Sequence, residues 1–483
     1  MTDALNSYDL LFRGATLVDG QGGTPYVADL AVRGDRIMAI GELDDATAER
    51  EIDARGLCLA PGFIDVHTHD DNRAIAAPEM LEKISQGVTT VIVGNCGISA
   101  SPIVLEADPP DPMNLLGRRE AFRYPRFSDY AEAVEQARPS LNLAALIGHT
   151  TLRAGVMDAF DRPATEAEIE VMAERLREAL REGAIGLSTG LAYTNARQAP
   201  SSEVKALVKV VGEEGGIYTT HMRDEGAGLL DSIEESLATA GAGNAALVIS
   251  HLKCMGAANW GRSAEALKRL EEGASAQPCN CDCYPYAASS TTLDTWRVTD
   301  EFEIMVTWSD PHPEMAKRTL ADIATQWGVS LLEAAERLRP AGAIYHSMEE
   351  ADVRRVLAHP LSMVGSDGLP SDPNPHPRLW GTFPRVLAHY CRELELFPLS
   401  EAIRKMTGLS AGRFQLEGRG VLREGAYADL VLFDFERVED VATFTDPRRQ
   451  SPGIELVVVN GQVGFEQGRS VGRSGRLLRR ATG

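Results

Sequence analysis

Apolar and polar positions along the chain follow two different rhythms. Near both termini the rhythm is short. Ala28 to Ile40 alternates around Gly34-Asp35, a tight-turn pair that joins two strands as a hairpin. Ala428 to Phe433 and Glu455 to Val463 are rich in β-formers, and Asn460-Gly461 is the strongest short hairpin signal in the chain. These terminal pieces, 1–60 and 416–483, are expected to pair as one small β-sandwich domain. Between them, over 61–415, short apolar runs alternate with helical patterns, which predicts βαβ units and a parallel sheet. The runs lie near Gly62 to His67, Val88 to Asn95, Leu143 to His149, Ile185 to Thr189, Ile217 to His221, Leu247 to His251, Cys279 to Tyr284 and Ser362 to Asp367. That is the number of strands a closed (β/α)8 TIM-like barrel requires. The helix before the fourth run is well marked. Thr165 and Glu168 form a capping box, Ile169, Met172, Leu176 and Leu180 recur at helical spacing, and Gly183 stands at the C-terminal end.

The seventh and eighth runs are separated by roughly eighty residues, from Pro285 to Leu361, well beyond an ordinary connection. An insertion of this kind, about 286–345, is expected to act as a lid or substrate-recognition element. The fold expected is therefore α/β: a barrel, a β domain built from both termini, and a long insertion after strand seven.

Charge narrows the function. Forty-eight Lys plus Arg against 70 Asp plus Glu give a net charge of −22, which argues against nucleic acid as a partner. No stretch approaches the ~20 apolar residues that a bilayer span needs, so no membrane partner is expected. Met1 to Gly20 lacks the basic start and apolar run of a signal peptide, and seven Cys without framework spacing suit a reducing compartment. The expected location is the cytoplasm, and the Arg-bearing tail after Arg469 reads as a solvated end.

Five of the runs end in a residue that can hold a metal or move a proton, and the C-terminal ends of barrel strands are where such enzymes carry their sites. His67 and His69 form an H-T-H triplet whose period of two turns both imidazoles to one side. Cys96 follows in V-G-N-C-G, His221 in Y-T-T-H-M-R-D-E, His251 in V-I-S-H-L-K and Asp367 in V-G-S-D-G. A lone strand His is more often a hydrogen-bonded core residue, and a lone buried Cys usually packs. Together, imidazole, thiolate and carboxylate suit Zn²⁺ far better than Mg²⁺ or Ca²⁺. The triplet Cys279, Cys281 and Cys283 lacks zinc-finger spacing and reads as strand packing. His149 ends the third run and is not counted as a ligand.

The string P-G-F-I-D-V-H-T-H from Pro61 to His69, with His221, His251 and Asp367 on later strands, resembles the amidohydrolase superfamily of metal-dependent hydrolases. G-V-L-R-E-G-A-Y-A-D-L-V-L-F-D from Gly420 to Asp434 resembles the point where that superfamily's barrel returns to its β domain. S-Q-G-V-T-T-V-I-V-G-N-C-G-I-S from Ser85, G-S-D-G-L-P from Gly365 and H-P-R-L-W-G-T-F-P-R-V-L from His376 resemble the D-aminoacylase (N-acyl-D-amino-acid deacylase) family, along essentially the whole chain. Hydantoinases and dihydroorotases, similar in outline, bridge two metals with a carboxylated Lys at the end of strand four. Here that strand reads I-G-L-S-T-G-L, with Ser188 and Thr189 and no Lys. The resemblance implies that Cys96, His221 and His251 hold a tight zinc, and that His67 and His69 line a second site, weak or empty.

With such a metal, water is activated and the amide carbonyl polarised. Asp367 is expected to be the general base, later returning the proton to the leaving amine. An acyl amino acid also needs a partner for its carboxylate. Arg378, Lys253, Tyr284 and Ser290 match family positions that resemble a carboxylate clamp, and Tyr345, at the far end of the insertion, is also expected to bind substrate. The expected reaction is zinc-dependent hydrolysis of N-acyl-D-amino acids, small-molecule substrates, to a carboxylate and a free D-amino acid. The alternatives are a cyclic-amide hydrolase of the hydantoinase or dihydroorotase kind, and a non-catalytic barrel scaffold. For the side chain, Arg297 suits an acidic substrate, whereas Trp296, Leu293 and Met305 suit an apolar one. The reading leans to hydrophobic or broad specificity, and chirality rests on the resemblance.

Overall fold

The eight apolar runs form one parallel sheet in a computed structural model that describes residues 7–480. The outermost positions of both terminal β segments, 1–6 and 481–483, lie outside the described residues. In chain order the barrel strands are Phe63–Asp65, Val88–Val93, Asn142–Gly148, Gly186–Gly190, Ile217–His221, Ala246–Ile249, Cys279–Cys283 and Ser362–Val364. Each pairs with the next in parallel. The ring closes where the first meets the eighth: Val66 N–H donates to Val364 O, Thr68 bridges Gly368, and Asp367 N–H donates to His67 O at 2.8 Å. Closure thus passes directly through the predicted site.

Strand periodicity divides the barrel into two cores. Phe63, Val91, Val93, Leu143, Ala145, Ile147, Leu247, Ile249 and Cys281 point outward and pack under the helices. Ile64, Val66, Ile92, Ala144, Leu146, Ile217, Val248 and Met363 fill the interior, closed below by Ala411, Phe414 and Leu416. The apolar plug fills the middle of the barrel, and the candidate site residues gather beyond it at the C-terminal end of the strands. Helix Glu166–Arg181 has the expected capping box, with the Thr165 side chain accepting from Glu168 N–H, and Gly183 follows it at φ 114.

The terminal segments build a nine-stranded sheet. Tyr26–Arg33 and Arg36–Gly41 make the first hairpin. The β-rich run after Glu455 is two strands, Ile454–Val459 and Gln462–Glu466, because Asn460 and Gly461 take φ of 49 and 78 and reverse the chain between them. The sheet curls until its far edge returns to the 425–428 segment, where Ile37 N–H donates to Ala426 O at 2.9 Å. The sandwich expected from the sequence is therefore one sheet folded over one core, with Phe12, Leu30 and Leu59 against Leu430, Leu432 and Val458.

The long connection carries a three-stranded antiparallel sheet of Ser289–Thr292, Ala341–Tyr345 and Ile304–Ser309. Helices Leu320–Trp327 and Leu331–Leu338, capped by the Thr319 and Ser330 side chains, cover it. Leu293, Val306, Ile323 and Leu338 give this unit its own core. No helix among the described residues is long and apolar enough to cross a membrane.

Candidate metal centre and active site

The candidate residues converge at the mouth of the barrel, but not all on strands. Only His221 lies within one. His67 and His69 follow the first strand, and Cys96, His251 and Asp367 sit in the short loops just past theirs, at φ of 54, 38 and 49. A left-handed backbone at three non-glycine site residues ends the ladder and turns each side chain inward, a strain that folded proteins retain where it is over-determined by packing. For Cys96 the determinant is glycine: a Cβ on Gly190 would come within 2.2 Å of Cys96 O. Ser188, on the strand where a bridging Lys would stand, anchors the same loop. It donates to Gly94 O at 2.5 Å and accepts from Gly97 N–H at 3.0 Å.

Two groups of donor atoms, each within 4.8 Å of one another, share the Cys96 thiol: His67, His69, Cys96 and Asp367, and Cys96, His221 and His251. His67 Nε2 is 3.1 Å and His251 Nε2 3.4 Å from Sγ, while His69 Nε2 is 3.1 Å from Asp367 Oδ1. All are buried. Burial opposes ionisation of Cys96, yet His67 and His251 outweigh it and hold the thiol well below its usual range. Burial also opposes charge on His67 and His69. Cys96, Asp282 and Asp367 prevail at His67, raising it well above its usual range, and Asp367 with Cys96 raises His69 to about 9. These directions share one cause, anionic donors packed against imidazoles, and a cation bound there would take the place of the ring protons. Both ring nitrogens of His221 are buried without a hydrogen-bond partner. A soft-to-borderline divalent ion fits this donor set and would engage the orphaned imidazole.

Asp367 is held from the other side by Arg378, with Nη2 2.9 Å from Oδ2, and the same nitrogen donates to Ser290 O at 3.0 Å. Arg378 is fully buried, its guanidinium 4.6 Å over the Tyr284 ring, and its Nε and Nη1 have no partner. The Tyr284 hydroxyl and Ser290 Oγ are likewise buried and unpartnered. Tyr284, Ser290 and Lys253 line a small cavity together with His221, His251 and Asp367. Four of the five expected substrate-binding residues are therefore brought together around Asp367.

Tyr345 stands apart. Its hydroxyl donates to Thr292 O at 2.9 Å and accepts from Asp294 N–H at 3.1 Å, so it is occupied within the insertion. Its ring lines a neighbouring pocket with Met255, Trp296 and Phe302. Arg297 forms a wall common to both spaces. Leu293, an apolar candidate for a side-chain pocket, is buried in the insertion's own core and faces neither.

Three groups escaped the sequence reading. Asp282 receives His251 N–H at 2.9 Å and faces His67 Nδ1 at 3.3 Å. Its signal was available: Cys279, Cys281 and Cys283 alternate with it and point into the outer core, where burial pushes Cys281 up to about 12, so Asp282 must face the interior. Glu225, four residues after His221, lies beside His251, His221 and Lys253. Lys83 reaches Asp65 at 2.8 Å and Ser366 Oγ at 2.7 Å, joining strands one and eight beneath the site. His149 pairs with Glu203 at 2.9 Å and is outside both donor groups.

A metal-binding mouth on a closed (β/α)8 barrel with a two-terminus β domain defines a class of hydrolase, and a family model described as the amidohydrolase family matches residues 50–465. The chain belongs to that family. It is 48% identical over 474 residues to the D-aminoacylase of Alcaligenes xylosoxydans xylosoxydans, covering 98% of each chain. It is 46% identical over 480 residues to the N-acyl-D-aspartate deacylase of the same organism, covering 99% of this chain and 96% of that one. The solved N-acyl-D-glutamate deacylase from Bordetella bronchiseptica, complexed with zinc and a phosphonate mimic of the tetrahedral intermediate, matches with a TM-score of 0.95 at 44% identity, over 98% of this chain and 100% of that one. Within the amidohydrolases the chain is thus a member of the D-aminoacylase family.

Proposed function

We propose that this protein is a zinc-dependent hydrolase of N-acyl-D-amino acids, releasing a carboxylate and a free D-amino acid. The observation that carries the reading is the shared Cys96 thiol: two buried donor groups, one of them including Asp367, meet there beside a cavity lined by unpartnered hydrogen-bonding groups. Cys96, His221 and His251 would hold the tight zinc, with His67 and His69 at a second, weaker site. When bound, zinc lowers the pKa of water and polarises the amide carbonyl.

The chain's own residues do the rest. Asp367 turns Oδ1 towards His67 and His69 while Arg378 holds Oδ2, so Oδ1 is the oxygen placed to take the water's proton and later hand it to the leaving nitrogen. Lys253, the Tyr284 hydroxyl and Ser290 Oγ bind the substrate's α-carboxylate, with Arg378 behind them. The insertion, about 286–345, covers the cavity and excludes water, and Arg297 and Tyr345 meet the side chain or acyl group. The 61–415 segment is the catalytic unit, and the terminal segments its support. Cyclic-amide chemistry of the hydantoinase kind has no bridging Lys here, since Ser188 is committed to the Cys96 loop. The seven free, buried cysteines support a working place in the reducing cytoplasm.

The test is to measure zinc in the purified chain and compare hydrolysis of the N-acetyl derivatives of D-Met, D-Leu, D-Asp and D-Glu with their L-forms. Absence of both zinc and hydrolysis sinks the reading. Preference for L-forms overturns its stereochemistry.

A further inference from the structure

The buried carboxylate of Glu225 has no part in that chemistry, yet it joins the metal-facing and substrate-facing sides of the cavity. Its Oε1 is 2.9 Å from His251 Nδ1 and 2.6 Å from Lys253 Nζ, while Nζ and Nδ1 are 2.7 Å apart. Its Oε2 is 3.6 Å from His221 Nε2. With the Lys253 ammonium at 2.6 Å, the carboxylate is one half of a buried ion pair.

This triangle has two proton arrangements. In one, Lys253 donates to Nδ1, and the ring proton sits on His251 Nε2, which faces Cys96 Sγ at 3.4 Å. A nitrogen that carries a proton has no lone pair for a cation. In the other, Nδ1 carries the proton and donates to Glu225, and Nε2 presents its lone pair beside the thiol. Lys253 then cannot donate to the ring, and the 2.7 Å approach of Nζ to Nδ1 must open, since both are then donors. Lys253 donates to the same carboxylate oxygen, leaving its other N–H groups for the cavity, where Nζ lies 5.7 Å from the Tyr284 ring centre. Only this second arrangement serves both sides at once.

We propose that Glu225 is a positioning residue that selects the second arrangement, freeing His251 Nε2 to hold zinc and setting the Lys253 ammonium to receive the substrate's carboxylate. The inference rests on the functional reading above. It differs from a merely structural ion pair in what it predicts, because a structural pair would affect the folded fraction and leave the zinc affinity and KM of folded molecules unchanged.

The experiment uses the full-length, zinc-loaded enzyme as wild type, Glu225→Gln and Glu225→Asp. Zinc retention is read by dialysis against graded chelator, and kcat and KM are measured on N-acetyl-D-Leu with zinc restored. Glu225→Gln is expected to hold zinc about 10–100-fold more weakly and to raise KM more than it lowers kcat. Glu225→Asp keeps an anion for Lys253 but withdraws from His251. Its KM is expected near wild type while its zinc retention falls, and it carries the test if the Gln variant does not fold. Wild-type zinc retention in either folded variant, or an unchanged KM in Glu225→Gln, overturns the proposal while the functional reading stands. A wild type with neither zinc nor hydrolysis would defeat the functional reading and this inference with it.

Discussion

Asp367 and Arg378 form a buried ion pair, Oδ2 to Nη2 at 2.9 Å, in which the proposed base is held by a proposed substrate clamp. Arg378 therefore acts on the carboxylate before any substrate arrives. Removing the proton-transfer capacity while keeping the shape separates the two roles. Asp367→Asn is expected to abolish turnover, by at least the ~100-fold typical of a lost general base, while zinc measured by atomic absorption remains bound.

Arg378 should also govern the pH profile. Burial pushes Asp367 up, but Arg378, His67, His69 and His251 together hold it well below the usual carboxylate range. The wild-type base thus stays ionised through weakly acidic solution. Arg378→Met leaves burial less opposed, so the Asp367 pKa rises and the acid limb of kcat moves to higher pH. An acid limb at the wild-type position in a folded Arg378→Met enzyme would contradict this.

Zinc removal has two readouts. Chelation should stop hydrolysis, added zinc should restore it, and the melting temperature should rise with free zinc because the ion binds the folded state. Cys96→Ala removes the donor common to both groups. Its zinc content after dialysis is expected to fall further than that of His69→Ala, which belongs to one group only.

Closure of the barrel depends on a buried charge. Lys83 bonds Asp65 and Ser366 and lies 3.4 Å from Asp70, all without solvent exposure. Lys83→Met strands two buried carboxylates and should cost about 3–5 kcal/mol of stability in urea unfolding. Pairing it with Asp65→Asn should recover part of that loss, which a simple packing defect would not allow.

Acid should weaken a second network, outside both metal-donor groups. Burial disfavours the Glu203 anion, but His149 and Arg153 overcome it and lower its pKa from 4.5 to about 2. A carboxyl depressed on folding stabilises fully above its unfolded pKa and loses that contribution as pH falls towards the folded one. The stability difference between wild type and Glu203→Gln should therefore be largest near neutrality and shrink between about pH 4.5 and 2. A difference independent of pH would mean that the charge of Glu203 is not what stabilises the fold.

The order of residues alone determined the architecture and the donor atoms. Period-two alternation decided which side of each strand faces the plug, Asn460-Gly461 and Gly34-Asp35 placed the reversals, and His67, His69, Cys96, His221, His251 and Asp367 announced themselves by type at the ends of apolar runs. These signals are local, so they survive without knowledge of neighbours. Only the tertiary structure decided the partners. His69 meets Asp367 across 298 positions, and Asp282 fixes His67 across 215. Glu225 carries no motif of its own in the run after His221, and the Tyr345 hydroxyl is held by Thr292 and Asp294, which leaves its ring to face a pocket. A side chain's chemistry is written in its type, but its protonation, its partner and its free lone pairs depend on what the closed barrel places within hydrogen-bond reach.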